Sequence, residues 1–483
     1  FQYMDIPDVP VILENEDTGE RVFLVHNDSY DFTAVANMTY FFKVSIGDTT
    51  APQVHAGRSF SGPRILRAGH PHDLDFFALD GFMVDQMDLL FSSDSGNYFE
   101  PFATFGDTTD HEWLTPDDFD NVLYGAALQI KATDYAGNSA TAESDYVLTI
   151  ASDSLFADVY SGWTLWGAPI EPTIDTMAIN IGDDFAGYWT TYDYVDNGYT
   201  YDGFLYQGEG YWLGTLEDTE VDIVGMASGW DEEVSLSLGW DLLSNPLVTD
   251  VYLDSLMIIN NSTADTMRYP QAVAAGWVNS IFAFDGNGYV EPDVLKPWQG
   301  YWFGVLAENL VAKFPIHRHD QTVLARDDRE DGWLIQLFAE TSNGAEDNLL
   351  MLGAHPEASD DFDNGFDEVR PPQAPGTRFV QLDILHPEWD FPLGDAFIRD
   401  IRAENLDDAN EDWVVNIDGS EAEITLTWDL LNVPESFDVG IDLDGDGIFE
   451  DLSSFESLTV PTGSQIVIRA GANALSVDQL SIP

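Results

Sequence analysis

Gly162-Trp163-Thr164-Leu165, which closes on Gly210-Tyr211-Trp212-Leu213-Gly214, is written a second time as Gly239-Trp240-Asp241-Leu242, closing on Gly300-Tyr301-Trp302-Phe303-Gly304. Between these ends Asn197-Gly198-Tyr199 matches Asn287-Gly288-Tyr289. The copies run without a gap from Asn197 to Gly214; their openings are offset differently, so the second copy carries extra residues early on. A tandem duplication predicts a repeated unit that stacks on or beside its twin. Strand-length apolar runs are broken by the hairpin dipeptides Asn197-Gly198, Asp202-Gly203 and Asp285-Gly286. Long helical periodicity is missing, so each copy is expected to be a small all-β unit. Both copies kept Gly, Trp, Tyr and Pro, the residues of turns and aromatic packing.

Working outward, 483 residues exceed one core, and roughly three to five domains are expected. A hydrophobic content of 44% is enough to core them despite the acidity. Seventeen basic against 87 acidic residues give a net charge of −70. That charge argues against nucleic acid and anionic membrane surfaces as partners. Such a carboxylate surface suits a saline or calcium-rich medium, where cations screen self-repulsion. Lysine is reduced to Lys43, Lys131, Lys296 and Lys313, and cysteine is absent, which removes disulfides and thiolate zinc sites. No apolar run reaches the roughly 20 residues of a membrane helix.

The pattern divides into five expected segments: 1–47, 48–152, the two copies at 153–230 and 231–325, and 326–483. In 1–47, Tyr40, Phe42 and Val44 alternate with Phe41, Lys43 and Ser45, as in a half-buried strand. In 48–152, Asp134 to Asn138 reads as a polar turn between strands, and Tyr146-Val147-Leu148-Thr149-Ile150 as the closing strand. In 326–483, strands are expected at 333–338, 379–385, 413–417, 422–428 and 465–469. The expected fold class is all-β: tandem β-sandwich or immunoglobulin-like modules around a duplicated small β module.

The run His26-Asn27-Asp28-Ser29-Tyr30-Asp31-Phe32, followed by Asn37 to Val44, resembles the last strands of a fibronectin type III domain. Asp48-Thr49-Thr50-Ala51-Pro52-Gln53-Val54 and Ala132-Thr133-Asp134-Tyr135-Ala136-Gly137-Asn138 resemble the bookends of a bacterial immunoglobulin-like domain. Residues 155–483, with their Gly-Trp-x-Leu openings, Gly-Tyr-Trp closures and an acidic loop before Pro371-Pro372, resemble the C-terminal modules of Bacteroidetes-type (type IX) secretion cargo. This resemblance implies export to the outer surface of a Gram-negative bacterium or beyond. It also implies a processed product, since the chain stops at Leu480-Ser481-Ile482-Pro483, about where that family's sorting domain would begin.

The sharpest chemical motif is Asp442-Leu443-Asp444-Gly445-Asp446-Gly447-Ile448-Phe449-Glu450-Asp451. Carboxylates at alternate positions around a glycine turn suit Ca²⁺, with Asp442, Asp444 and Asp446 as ligands and Asp451 closing the shell. Ser453 stands where an EF-hand needs Glu, and an acidic hairpin turn explains the same residues without a metal. Asp360, Asp363 and Asp367 form a second candidate loop, and the Asp134/Asn138 turn a third. The dense aromatics of the copies suit either core packing or sugar stacking. Trp163, Trp240, Trp212 and Trp302 are expected in the core; the unduplicated Trp189, Tyr201 and Trp298 are the candidates for glycan or partner contact. His70-Pro71-His72 and His317-Arg318-His319 read as solvated loops. No nucleophile elbow, zinc-protease helix or phosphate loop occurs. The expectation is a non-catalytic extracellular protein of adhesion, assembly or partner binding, stabilised by calcium, its partners other surface proteins or extracellular glycans. Two alternatives stay open: the accessory C-terminal region of a secreted hydrolase, or a carbohydrate-binding array.

Overall fold

The computed structural model describes residues 11–24, 30–57, 64–106, 111–144, 148–195, 197–201, 203–316, 332–404 and 410–475. Asp202, Tyr146-Val147, His26 to Ser29, His317-Arg318-His319 and the terminal Leu480 to Pro483, singled out above, lie outside them. Among the described residues the regular secondary structure is nearly all strand, with two short α-helices, Met177–Asn180 and Tyr269–Ala274. The all-β class is therefore the observed one. The chain forms two compact units, 1–152 and, in essence, 153–483.

In the first unit the long strand Val122–Asp134 pairs with Val84–Ser92 on one side and Leu148–Ala151 on the other. Its alternate residues Ala126, Leu128, Ile130 and Ala132 are buried and meet Leu89, Phe76 and Trp113. This is the period-two signature of a strand with one face on a core. The 1–47 segment contributes Val11–Asn15, Arg21–Phe23 and Phe42–Ile46 as a three-stranded sheet. The expectation of a half-buried last strand is corrected here: along Phe42–Ile46 only Ser45 is half-buried and the rest is exposed. The sheet's buried Ile12 packs on Phe82 instead.

In the second unit each copy builds a four-stranded sheet in the same order. Copy one runs Gly162–Trp166, Tyr211–Thr215, Trp189–Val195, Gly198–Thr200; copy two runs Gly239–Ser244, Gly300–Val305, Val278–Phe284, Tyr289–Val290. The Gly-Trp opening thus pairs with the Gly-Tyr-Trp closure in both. The copies differ at one step. Trp189–Val195 pairs with its neighbour without a shift, whereas Val278–Phe284 carries a bulge between Val278 and Ile281.

The two copies meet reciprocally about a local two-fold axis. Trp166 bridges to Gln299, and Leu243, at the position equivalent to Trp166, bridges to Glu209, equivalent to Gln299. Gly167 N–H donates to the Trp298 carbonyl at 3.3 Å, and Ser244 N–H to the Gly208 carbonyl at 2.8 Å. Here the closure glycines find their reason. A Cβ on Gly210 would lie 2.6 Å from the Leu243 carbonyl oxygen, and one on Gly300 would lie 2.9 Å from the Trp166 nitrogen. Only glycine lets the backbones approach so closely. On the axis, a Cβ on Gly167 would sit 2.2 Å from that of Ser244.

The C-terminal segment is a large curled sheet whose central strands run Ser464–Gly471, Glu411–Gly419, Val380–Leu385, Ala396–Ala403, Met351–His355, Trp333–Thr341 and Glu423–Leu431. It closes over Trp333 and Trp413, edge to face at 5.9 Å, with Leu337, Leu382 and Ile468.

Beside the C-terminal sheet's own core, the two copies share a second core with the C-terminal segment. Trp212 and Trp240 pack in one cluster with Trp302, Phe282, Val369, Leu393 and Phe397. The tyrosines of the repeated Asn-Gly-Tyr both clamp the C-terminal segment. Tyr199 donates its hydroxyl to the Gln373 carbonyl and Tyr289 to the Pro372 carbonyl, each at 2.5 Å. Trp240 Nε1 donates to the Leu393 carbonyl at 3.1 Å. A small β module has too little interior for several large aromatics, so these rings are covered by pooling the interiors of neighbours.

Candidate functional site

Strand Asp438–Asp442 delivers the Asp442 carboxylate, 3% exposed, to the base of its loop. Asp442 Oδ1 accepts from the Gly445 and Asp444 N–H groups at 2.8 and 3.2 Å, and Oδ2 from Gly447 N–H at 2.9 Å. Gly445 and Gly447 both take positive φ, which turns these N–H groups inward. Burial works against ionisation of Asp442, but the donated N–H groups outweigh it and hold the carboxyl below its ordinary range. Asp444 and Asp446 are exposed, and oxygens of all three aspartates lie within 4.8 Å of one another.

Asp451 does not join this group. It pairs with Gly440 across the sheet, and its Oδ1 accepts from Ser453 N–H to cap the turn Leu452–Ser454. The spacing placed it in reach, but strand pairing directs it elsewhere.

A second convergence lies in the first unit. Asp134, at the polar turn singled out in the sequence, is joined by Asp48 and Asp80, again with oxygens within 4.8 Å. Asp134 Oδ1 accepts from the Ala136 and Asn138 N–H groups, both at 2.8 Å. Asn138 Nδ2 donates to Asp134 Oδ2 at 2.9 Å and to the Asp48 carbonyl at 3.3 Å. Burial, with the neighbouring Asp48 and Asp134 charges, raises the Asp80 carboxyl. Neither Asp48 nor Asp80 was singled out as a ligand from the sequence.

The loop of Asp360, Asp363 and Asp367 is built differently. Its carboxylates are taken up by backbone N–H groups: Asp363 Oδ2 by Ser359 at 2.6 Å, Asp367 Oδ2 by Asp363 at 2.7 Å, Asp367 Oδ1 by Ile401 at 3.0 Å and Asp360 Oδ1 by Ala403 at 3.3 Å. The three form no cluster of the kind seen at the other two sites. Asp367 is 1% exposed, and burial pushes its carboxyl up to about 7, the two N–H donors opposing and Asp400 and Asp363 adding.

The sign of that shift makes a prediction. A native carboxyl titrating near 7 keeps its proton where the unfolded one has lost it. Its stabilising contribution is therefore complete below about pH 4 and declines as pH rises toward 7, by at most about 1.4 kcal/mol per pH unit. Asp367→Asn should flatten this part of the stability profile in urea denaturation between pH 4.5 and 7. Parallel profiles for the two proteins would contradict the assignment.

The aromatic candidates separate. Tyr201 is 59% exposed. Trp189 is half-buried and stacked on Phe185 at 5.4 Å. Trp298 is half-buried, tilted against Trp166 at 6.0 Å, and has positive φ where copy one uses Gly208. Of the four tryptophans expected in the core, Trp212, Trp302 and Trp240 are buried and Trp163 is half-buried against Tyr192. Within the described residues His70 and His72 join no metal-type cluster.

The fold and loops define a class: an all-β protein whose second unit is a duplicated aromatic β module fused by a common core to a large curled sheet. No family model, no curated protein and no solved structure matches the chain.

Proposed function

We propose that this is a non-catalytic extracellular scaffold of adhesion, assembly or partner binding, with calcium at the Asp442 loop stiffening the C-terminal sheet. The supporting observation is what the duplication preserved. Its repeated residues work as structural joints: Gly210 and Gly300 admit the facing copy, Trp212 and Trp302 fill the common core, and Tyr199 and Tyr289 hold the Pro372–Gln373 segment. Among the described residues no helix is long and apolar enough to cross a membrane. Exposed Tyr201, with Phe204 and Tyr206 stacked nearby in sequence at 6.2 Å, gives the glycan-binding alternative its best surface.

At the loop, Asp442, Asp444 and Asp446 repel one another unless a cation screens them. Chelation should therefore lower the melting temperature of the second unit, by roughly 1–4 °C for a calcium contribution on the order of 1–3 kcal/mol. Asp444→Ala should abolish the sensitivity. An identical melt with calcium and with chelator would remove calcium from the reading. Turnover of a polysaccharide or peptide by the purified chain would overturn the scaffold itself.

A further inference from the structure

Leu385 pairs with Ala396, and the turn between them, residues 386–395, enters the common core. Leu393 belongs to that core, and Trp389 and Phe391 pack against it. Copy two receives the turn closely. A Cβ on Gly304 would lie 2.9 Å from Leu393 Cδ1, and Trp240 Nε1 ends on the Leu393 carbonyl.

His386 stands at the root of this turn. Its backbone N–H donates to the Asp395 carbonyl at 2.8 Å, which ties the two ends together. Its ring lies flat on Trp389, with centroids 3.6 Å apart and planes at 7°. Trp389 in turn stands edge-on to Phe397 at 4.8 Å. His386 Nδ1 is 2.8 Å from Glu388 Oε1, and Nε2 is 3.1 Å from Asp400 Oδ2. An ionised carboxylate only accepts hydrogen bonds, so both ring nitrogens must carry protons to make these two contacts. Arg402 keeps Asp400 ionised, donating from Nε to Oδ1 at 3.2 Å and from Nη2 to Oδ2 at 3.0 Å. The geometry is therefore that of an imidazolium.

The charges around the ring are Glu388 on the turn, Asp400 on Ala396–Ala403, and behind Asp400 the pair of Arg402 with Glu411 at 3.2 Å. Burial works against the charged ring, but the two carboxylates outweigh it and raise His386 above the ordinary histidine range. Burial also opposes ionisation of Asp400, and there His386 and Arg402 outweigh it and hold the carboxyl low. A charged ring gains further from the indole face beneath it.

We propose that the turn 386–395 is a proton-operated latch: the His386 imidazolium, held between Glu388 and Asp400 and seated on Trp389, fastens the turn that joins the C-terminal sheet to copy two, and loss of one ring proton slackens it. The two carboxylates are not equivalent. Glu388 is 63% exposed and can turn to water, whereas Asp400 is 1% exposed and cannot. Deprotonation therefore takes the Nδ1 proton, leaves Nε2–H on Asp400 and releases the Glu388 side. Because the native value is raised, the stabilising contribution is complete below about pH 6.5 and is lost as pH rises through that higher value. The latch is fastened in weak acid and slack in alkali. What it loosens is a joint, since Trp389, Phe391 and Leu393 are the side chains the turn lends to the common core.

The device involves neither calcium nor the scaffold reading, and its test reads neither. In the full chain labelled with ¹⁵N-histidine, the His386 ring signals are those lost in His386→Gln. They should titrate above about pH 6.5, with Nδ1 as the nitrogen that loses its proton. Hydrogen exchange of peptides covering 386–395, corrected for the intrinsic rate, should show protection falling at least about three-fold between pH 6 and 9. In His386→Gln the fall should be less than about half as large; this comparison removes the contribution of Asp367, which both proteins share. Should His386→Gln fail to fold, Glu388→Gln at the exposed rim should bring the ring's titration down and shrink the fall in protection. A ring titrating at or below about pH 6.5, Nε2 losing its proton first, a flat protection profile in the parent, or equal profiles in parent and variant would each overturn the proposal.

Discussion

Arg370→Met should cost the second unit about 3–5 kcal/mol, the penalty of leaving buried charge uncompensated. The side chain is 6% exposed, and Nη2 reaches both Asp347 Oδ2 and the Leu382 carbonyl at 2.6 Å, while Nε is bonded to Asp383. Asp347 is itself fixed by the N–H groups of Leu382 at 2.8 Å and Leu349 at 3.2 Å. Methionine fills much of the volume but supplies no charge, so buried Asp347 and half-buried Asp383 are left facing each other without a counter-ion. Burial raises the Asp383 carboxyl even with Arg370 opposing it, and without that opposition the rise should grow. The diagnostic is rescue: adding Asp347→Asn and Asp383→Asn should recover about half or more of the loss, because the damage comes from the orphaned charges. Urea denaturation of the three proteins decides it. A single-variant loss below about 1 kcal/mol would mean that water reaches the network freely.

Trp302→Ala should be comparably damaging, about 3–5 kcal/mol, as expected for a fully buried tryptophan. The ring is wholly covered, edge-on to Tyr194 at 4.8 Å and near Trp240 at 6.2 Å, and its Nε1 donates to the Tyr289 hydroxyl at 3.2 Å. Removing it opens a cavity in the common core and loosens the tyrosine that holds Pro372. Trp189→Ala, which loses a half-buried stack on Phe185, should cost less than about half as much, since less area leaves the core. Equal losses at the two positions would contradict the burial pattern.

The features legible in the sequence were those written locally. Strands expected at 333–338, 379–385, 413–417, 422–428 and 465–469 match Trp333–Thr341, Val380–Leu385, Glu411–Gly419, Glu423–Leu431 and Ser464–Gly471, the second and fourth starting one residue early, because alternation and turn dipeptides act over a few residues. The common core was not legible. Trp240 bonds to Leu393 across 153 positions, and its periodicity records only that it is buried, never against what. The same distance hid Asp80 and Asp48 from Asp134, although the turn at Asp134 was plain. Trp189 and Trp298, the aromatics that one copy lacks, read as free for contact, yet the structure gives each a neighbouring ring to lean on.

The local two-fold axis has a consequence for how this chain can change. In a homodimer a substitution on the axis falls twice, so Gly167 could never become serine without serine meeting serine. Here the two halves are separate stretches of one chain, and each position mutates alone: glycine faces Ser244, Gly208 answers Trp298, and Gln207 answers Pro297. One half can therefore keep the joint tight while the other accumulates novelty. The bulge at Asn279–Ser280 is the mark of that freedom, spent on one half only.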